Sequence, residues 1–223
     1  MFDARWNEKF LSQRWGMYPN EELVRFAFRT LLSGKNSLVD TKLVLDLGCG
    51  AGSNSWFLAK EGLTVFGLDG SVQALIQART VLERFGVLGS LTLGDVCDLP
   101  FSAETFDAVI DVSAIQHNKL SDIGSIFSEV KRVLKPGGFL FSFCLSAETT
   151  IKSQQEALEV GTYWSAPPYS LDLLTHFFVE EEILNLWGDS GPISIQKIGR
   201  WASDSTDCLS HLIVTARKEF LPT

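Results

Sequence analysis

Residues 43–55 read LVLDLGCGAGSNS, and the rest of the chain is arranged around them. An apolar run surrounds Asp46, and Gly48, Gly50 and Gly52 then alternate with small residues before a helical rhythm begins at Asn54. A buried strand that breaks into a glycine turn and then a helix allows the backbone to approach a ligand closely. The stretch therefore predicts a nucleotide-cofactor loop and leaves open which cofactor it holds.

Strand and helix patterns alternate from residue 41 onward. Apolar strands are predicted at 43–47, 64–68, 91–93, 106–112 and 139–145, with helical segments between them that include 122–135. Strands that are apolar on both faces and joined by helices are typical of a parallel sheet covered on both sides. The pattern predicts an α/β fold with three layers.

The segments before and after this core are less regular. Residues 2–32 predict two helices, in which most aromatic residues suit core packing, whereas Trp15 and Tyr18 suit packing or a lid equally well. Residues 146–170 lack periodicity, a helix is predicted from about Ser170, and 179–191 favour helix or loop. The segments 193–198 and 211–218 predict a closing antiparallel pair. We expect a single domain over 1–223, with a helical cap at 1–40, a cofactor core at 41–145 and a substrate-side insert with closing strands at 146–223.

The composition limits the partners. The 223 residues are 45% hydrophobic and carry a net charge of −8, which disfavours nucleic acid and anionic membranes because no basic patch is present. The four cysteines are widely spaced, which predicts free thiols in a reducing compartment and no metal site. The first ten residues do not resemble a signal peptide, and no apolar run approaches the roughly 18 residues of a membrane span. We therefore expect a cytoplasmic protein.

Two carboxylates narrow the choice of cofactor. Asp69 ends the second strand, where a carboxylate accepts hydrogen bonds from ribose hydroxyls in doubly wound sheets. The dinucleotide fingerprint is G-x-G-x-x-G, but its third glycine position is occupied here by Ser53. Asp95 ends the third strand, where it can accept a hydrogen bond from an adenine amino group. These features favour S-adenosylmethionine over a nicotinamide dinucleotide.

Five segments in order resemble the class I S-adenosylmethionine-dependent methyltransferases. They are VLDLGCGAG, VFGLDGS, GDVCDLPF, FDAVIDVSAIQH and EVKRVLKPGG, and together they cover roughly residues 41–145. The resemblance implies a mostly parallel seven-stranded sheet whose last strand is antiparallel. It also implies S-adenosylmethionine as the cofactor.

The same resemblance implies the roles of individual residues. The glycine loop passes under the methionine part and the ribose, Asp69 binds the ribose, and Asp95 with Val96 receives the adenine. Tyr18 and Arg25 of the cap are candidates for the carboxylate end of the cofactor. The implied cofactor-binding set is Asp46, Gly48, Cys49, Gly50, Gly52, Asp69, Gly70, Ser71, Asp95, Val96, Asp111, Val112, Tyr18 and Arg25.

The acceptor is less well defined by the sequence. Asp111-Val112-Ser113-Ala114 departs from the [DNS]-P-P-[YF] motif of enzymes that methylate planar amides or base amines, which leaves an oxygen or nitrogen atom of a small molecule. His117 is the candidate general base, with a loop-structuring role equally open. Two alternatives are an NAD(P)-dependent oxidoreductase on a similar sheet and a non-catalytic module that binds S-adenosylmethionine. The acceptor's identity and the oligomeric state are not indicated.

Overall fold

A seven-stranded sheet forms the centre of the protein. In the computed structural model, which describes residues 2–33, 41–150, 157–164, 173–201, 203 and 207–219, the strand order is β3-β2-β1-β4-β5-β9-β8. The strands are β1 Leu43–Leu47, β2 Thr64–Asp69, β3 Ser90–Leu93, β4 Phe106–Val112, β5 Leu134–Leu145, β8 Ile193–Trp201 and β9 Cys208–Arg217. The strand β9 runs antiparallel to both of its neighbours, and the pairs among β1 to β5 are parallel. The expected seven-stranded sheet with an antiparallel last strand is confirmed.

Helices cover both faces of this sheet. They are α1 Arg5–Ser12, α2 Glu21–Phe26 with a π-helical extension Ala27–Leu31, α3 Ser53–Lys60, α4 Val72–Phe85, α5 Leu120–Val133 and α6 Glu180–Trp187. Successive strand residues point to opposite faces, so Leu45 packs in a core with α5 and α6, whereas Val44 packs in a core with α2 and α3. The three layers predicted from the apolar strands are therefore present.

The segment after β5 departs from the sequence-based expectation. The predicted helix from about Ser170 is wrong over its described part, because Leu174–His176 forms a short strand, β7. β7 pairs antiparallel with β6, Thr162–Trp164. An apolar run this short is compatible with a buried strand as well as with a helix. Pairing with β6 makes it a strand in this structure. Residues 151–156 and 165–172 of the predicted insert lie outside the described residues.

The boundary between α5 and β5 also differs. The helix was expected to end at Lys135 and the strand to begin at Phe139, but α5 ends at Val133 and β5 begins at Leu134. Leu134 pairs with Phe106, and the register then shifts before Ala108 pairs with Phe139. The Lys-Pro-Gly-Gly segment is thus an irregularity inside the strand pair and not a separate turn. Elsewhere, the predicted closing pair is present as β8 and β9.

Candidate functional site

A cavity of about 440 Å³ lies beside the carboxyl ends of β1, β2, β3 and β4 and beneath the N-terminal segment. One side, here called the loop wall, is made of the turns that follow the strands and includes Gly48, Cys49, Gly50, Ala51, Asp69, Gly70, Asp95 and Val96. The other side, here called the aromatic wall, consists of Phe2, Trp6, Phe10, Trp15 and Tyr18. His117, Val112 and Ser113 close one end. Ligands of open α/β sheets bind at this position, outside the carboxyl ends of the strands.

The glycine turn is dictated by backbone conformation and by close packing. Gly48, Gly50 and Gly52 have φ values of 65°, 53° and 81°, which side chains disfavour. A Cβ atom at Gly48 would lie 2.3 Å from the Cβ atom of Ala114. A Cβ atom at Gly52 would lie 3.0 Å from Ala78 of α4, so this glycine brings α3 and α4 together and does not line the cavity. The turn therefore offers backbone, not side chains, to the cavity.

Asp69 ties the glycine turn to the end of β2. Its carboxylate accepts hydrogen bonds from the backbone N–H of Gly50 at 2.9 Å and of Ser71 at 2.8 Å. Burial raises the pKa of Asp69, and these two hydrogen bonds oppose that shift. The side chain still lines the cavity, so unused lone pairs on its oxygens are available to hydroxyl donors.

Asp95 lies on the loop wall after β3, two strands away from β1 and the glycine turn. Its carboxylate accepts hydrogen bonds from the backbone N–H of Cys97 at 3.0 Å and of Phe2 at 3.2 Å. Gly70 faces the same N-terminal residue, because a Cβ atom there would meet the Phe2 ring at 2.1 Å. The N-terminal segment thus contacts Asp95, which was expected to face adenine, and Gly70 of the implied cofactor-binding set.

Asp46 and Asp111 lie behind the cavity, not on its surface. Both are fully buried, and each accepts a hydrogen bond of 2.5 Å from a hydroxyl, Asp46 from Ser55 and Asp111 from Ser142. Burial raises the pKa of Asp46 to about 7 and that of Asp111 to about 6. Asp111 also accepts from the N–H groups of Ala114 and Ile115, so it shapes the turn that leads to His117.

Three other predicted residues differ in their relation to the cavity. Ser71 is buried and caps α4 by accepting from the N–H of Ala74, and it does not line the cavity. Tyr18 lines the cavity although its side chain is 75% exposed. Arg25 is paired with Glu21 at 2.5 Å and with Glu22 at 3.6 Å, on the outside of α2 and away from the cavity. The structure therefore brings Tyr18, but not Arg25 or Ser71, to the site.

The hydrogen bonds of His117 define its tautomer. Its Nδ1 lies 2.9 Å from the carbonyl oxygen of Leu174, and a carbonyl only accepts, so Nδ1 carries the proton. Its Nε2 lies 3.4 Å from the amide nitrogen of Gln116, whose Oε1 accepts from the N–H of Leu145. Nε2 is therefore unprotonated, and its lone pair faces the Gln116 amide N–H in a long contact. Burial lowers the pKa of His117 to about 4, against the opposing effect of the Leu174 carbonyl, so the ring is neutral at pH 7.

Sequence reasoning underestimated the aromatic wall. Phe2, Trp6 and Phe10 recur every four residues, and this stripe was interpreted mainly as core packing. In the structure Trp6 packs edge-on against His117 with ring centroids 5.0 Å apart, and Phe10 lies 4.9 Å from Trp15. The spacing was the available signal, because residues four apart share one face of a helix.

The arrangement fits an adenosine-containing cofactor. Asp69 and Asp95 provide carboxylate oxygens at two points of one cavity, and the glycine turn keeps the space beside them free of side chains. Within the part of the chain that the structure describes, no group of three His, Cys, Asp or Glu residues is placed to hold a metal ion. Likewise, none of the described helices is long and apolar enough to cross a bilayer. Fold and site together define a doubly wound nucleotide-cofactor-binding protein.

Comparisons with known proteins relate residues 44–138 to methyltransferases. Residues 44–138 match the family model described as a methyltransferase domain. An uncharacterized methyltransferase of Synechocystis is 41% identical over 95 residues, which are 43% of each chain. A demethylmenaquinone methyltransferase of Tropheryma whipplei is 39% identical over 98 residues, 44% of this chain and 39% of the relative. The chain thus spans less than half the length of these curated relatives.

A solved structure supports the same assignment at the level of the fold. A S-adenosylmethionine-dependent methyltransferase from Methanosarcina mazei superposes with a TM-score of 0.66 at 20% identity, covering 86% of this chain and 98% of the other. Residues 44–138 therefore resemble a methyltransferase domain, and the chain shares its fold with S-adenosylmethionine-dependent methyltransferases. These matches support S-adenosylmethionine as the ligand of the cavity.

Proposed function

We propose that this protein transfers the methyl group of S-adenosylmethionine to an oxygen or nitrogen atom of a small-molecule acceptor. The observation that carries the proposal is His117, which borders the cavity with an unprotonated Nε2. Nε2 lies 3.4 Å from the Gln116 amide nitrogen, a long contact that an acceptor hydroxyl can replace. A hydroxyl or ammonium acceptor must lose a proton to become a good nucleophile, and a positioned imidazole accepts such a proton. The resemblance to methyltransferases and the cavity support the same reaction.

The residues of the cavity are proposed to have two roles, cofactor binding and proton transfer. Bound S-adenosylmethionine supplies an activated methyl group on a sulfonium. Asp69 is proposed to bind the ribose hydroxyls and Asp95 with Val96 the adenine, while the glycine turn lets the cofactor lie against the backbone. Trp6 and Phe10 exclude water above the reacting atoms, and Nε2 of His117 takes the acceptor's proton. Alignment of the reactants and exclusion of water provide most of the acceleration of such a displacement.

The acceptor is proposed to be small and partly apolar. Aromatic side chains line one side of the cavity, and aromatic rings favour planar or apolar ligands. The name of a relative from Mycolicibacterium smegmatis, a fatty-acid O-methyltransferase, is compatible with such an acceptor. The net charge of −8 disfavours nucleic acid as a partner.

Two further proposals concern the chain as a whole. The four cysteines are free thiols, which supports a reducing, cytoplasmic location. The strands β8 and β9 extend the same sheet as β1 to β5, which supports one methyltransferase domain over residues 1–223. In that arrangement the cap at 1–40 and the closing strands belong to the same domain as the cofactor core at 41–145.

Calorimetry and a methyl-transfer assay test the proposal. We expect the purified protein to bind S-adenosylhomocysteine and to transfer a labelled methyl group to members of a panel of phenols, hydroxy acids and amines. His117→Ala should lower kcat by about 10²- to 10⁴-fold, with an unchanged Kd for S-adenosylhomocysteine. Because the pKa of His117 is about 4, the rate should be independent of pH near neutrality and fall only as the pH approaches 4.

Three outcomes each contradict a part of the proposal. Undiminished turnover of His117→Ala removes the histidine as base and leaves alignment as the mechanism. Binding of the cofactor without transfer to any panel member favours a non-catalytic binding module. Methylation confined to carbon acceptors would overturn the assignment to oxygen or nitrogen.

A further inference from the structure

The indole N–H of Trp15 has no protein partner. Among the described residues, Trp15 Nε1 is the one buried side-chain nitrogen or oxygen atom that makes no hydrogen bond. The residue itself lines the cavity. Leaving a buried donor without an acceptor costs free energy, so such a group at a ligand site indicates an acceptor atom on the ligand.

The position of this donor is fixed by its neighbours. The Trp15 ring packs against Phe10 with centroids 4.9 Å apart and against Trp6 with centroids 6.1 Å apart. The chain that follows is fastened to α3, because Trp56 Nε1 donates to the carbonyl of Met17 at 2.6 Å. A second bond, from the N–H of Asn20 to Oδ1 of Asn54 at 3.2 Å, reaches the first turn of the same helix. Trp15 is thus held near the start of α3, which follows the glycine turn.

This end of the cavity differs from the adenine end. Phe2 lies at Asp95 and Gly70, whereas Phe10 approaches the backbone of Gly50, with 3.5 Å between its ring and a Cβ atom built there. Trp15 lies next to Phe10 and so on the glycine-turn side. If the adenine lies at Asp95 and the ribose at Asp69, the amino-acid part of the cofactor extends toward Trp15.

The charges of the cavity define which ligand group Trp15 receives. The charged side chains that line the cavity within the described residues are Asp3, Asp69 and Asp95. An anionic group of a ligand is therefore received there by neutral N–H donors. The first turn of α3 provides a positive dipole end, and Gly52 at its N-cap makes no side-chain cap. Arg25, the residue that the sequence suggested for this role, is occupied by Glu21 and Glu22.

We infer that the indole N–H of Trp15 donates a hydrogen bond to the carboxylate of the cofactor's methionine moiety and so selects ligands that carry this group. The inference rests on the proposed function, because it takes S-adenosylmethionine to be the ligand of this cavity. Trp15 is a cofactor-binding residue on the aromatic wall, and its neighbours Phe10 and Trp6 hold it in place. A hydrogen bond to a charged acceptor is stronger than one between neutral groups.

Calorimetry with two ligands tests the inference. The probes are S-adenosylhomocysteine and its decarboxylated form, which keeps the adenosine, the thioether and the amine. Trp15→Phe removes the N–H and keeps an aromatic ring. We expect it to weaken S-adenosylhomocysteine binding by about 10- to 100-fold and to leave binding of the decarboxylated form within about twofold. Trp6→Phe is the matched control on the same wall, and its two affinities should change by equal factors.

The outcomes separate this inference from the function on which it rests. If wild-type protein does not bind S-adenosylhomocysteine, the proposed function fails. If it binds and Trp15→Phe loses affinity equally for both ligands, or for neither, only the role of Trp15 is overturned. A change confined to the KM of the acceptor would assign the donor to the acceptor and would also overturn it.

A measurement on the wild-type protein covers the case in which Trp15→Phe does not fold. The indole N–H resonance of Trp15 should move downfield in proton–nitrogen spectra when S-adenosylhomocysteine is added, because a new charged acceptor deshields the proton. It should stay in place with the decarboxylated ligand. Equal shifts with both ligands would contradict the inference.

Discussion

The two sides of the cavity are built on different principles. The loop wall follows three parallel strands, and its shape depends on backbone conformation, as at Gly48, and on a carboxylate that binds two backbone N–H groups, as at Asp69. The aromatic wall depends on side chains from α1 and from the segments on either side of it, and Trp6, Phe10 and Trp15 pack on one another, with Trp6 against His117. A backbone-built wall tolerates little substitution, whereas a wall of packed rings adapts to apolar replacement.

The largest expected effect is that of Gly48→Ala on the loop wall. The alanine must adopt a positive φ, and its Cβ atom would lie 2.3 Å from that of Ala114. We expect a loss of about 2–5 kcal/mol in the free energy of unfolding and no measurable binding of S-adenosylhomocysteine. Urea denaturation and calorimetry provide the two measurements.

Gly86→Ala is the matched control for that substitution. Gly86 has a φ of 63°, but a Cβ atom there meets nothing within 4 Å. It should therefore cost only the conformational part, about 1–2 kcal/mol, and leave ligand binding unchanged. Equal losses of unfolding free energy at both glycines would show that the approach of Ala114 does not matter. The loop wall would then be no more sensitive to substitution than a glycine outside the site.

An intermediate effect is expected for Asp69→Ala. The substitution removes the proposed bonds to ribose and the two bonds to the N–H groups of Gly50 and Ser71. We expect the affinity for S-adenosylhomocysteine to fall by about 1–3 kcal/mol, as measured by calorimetry. Because burial raises the pKa of Asp69, wild-type affinity should fall as the pH drops through that pKa, and the affinity of the variant should not.

The control for Asp69→Ala is the protein's own stability. If the Kd is unchanged while the melting temperature falls, Asp69 has only its role in fastening the turn. If the Kd rises in a variant of unchanged melting temperature, the carboxylate contacts the ligand directly.

The smallest effect is expected for Phe10→Leu on the aromatic wall. Phe10 is buried among Trp6, Trp15 and the backbone at Gly50, and leucine keeps an apolar side chain there. Such an exchange should cost less than about 1.5 kcal/mol in unfolding free energy and alter the Kd only a few-fold. Leu11→Ala, at an exposed position of the same helix, is the control for helix stability. A loss comparable to that of Gly48→Ala would show that both walls are equally rigid.

The same contrast explains what could be predicted from the sequence. The loop wall could be predicted because strand ends, alternating glycines and carboxylates such as Asp69 occur at fixed spacings that backbone geometry imposes. The mostly parallel sheet and its antiparallel last strand followed from the same regularities and from the family resemblance. The aromatic wall could not be predicted from the sequence, because an amphipathic stripe such as Phe2, Trp6 and Phe10 does not indicate which surface it covers. That information depends on tertiary contacts.

Other differences have equally local causes. Arg25 has two glutamates within one helical turn, and these local ion pairs keep it on the surface. Asp46 and Asp111 lie in buried strands, where Asp46 accepts from Ser55 of α3 and Asp111 accepts from the turn at Ala114 and Ile115. The strand at Leu174–His176 required a partner, Thr162–Trp164, that no local pattern identifies.

The placement of β9 determines when the protein can finish folding. β9 inserts between β5 and β8, so Leu145 of β5 pairs with His211 far along the chain. Long-range pairing of this kind is slow to form because a large loop must close first. During synthesis the edge of β5 stays unpaired, and open to association with other chains, until the last strand has left the ribosome. The cofactor loop can thus be complete well before the sheet that carries it is protected from aggregation.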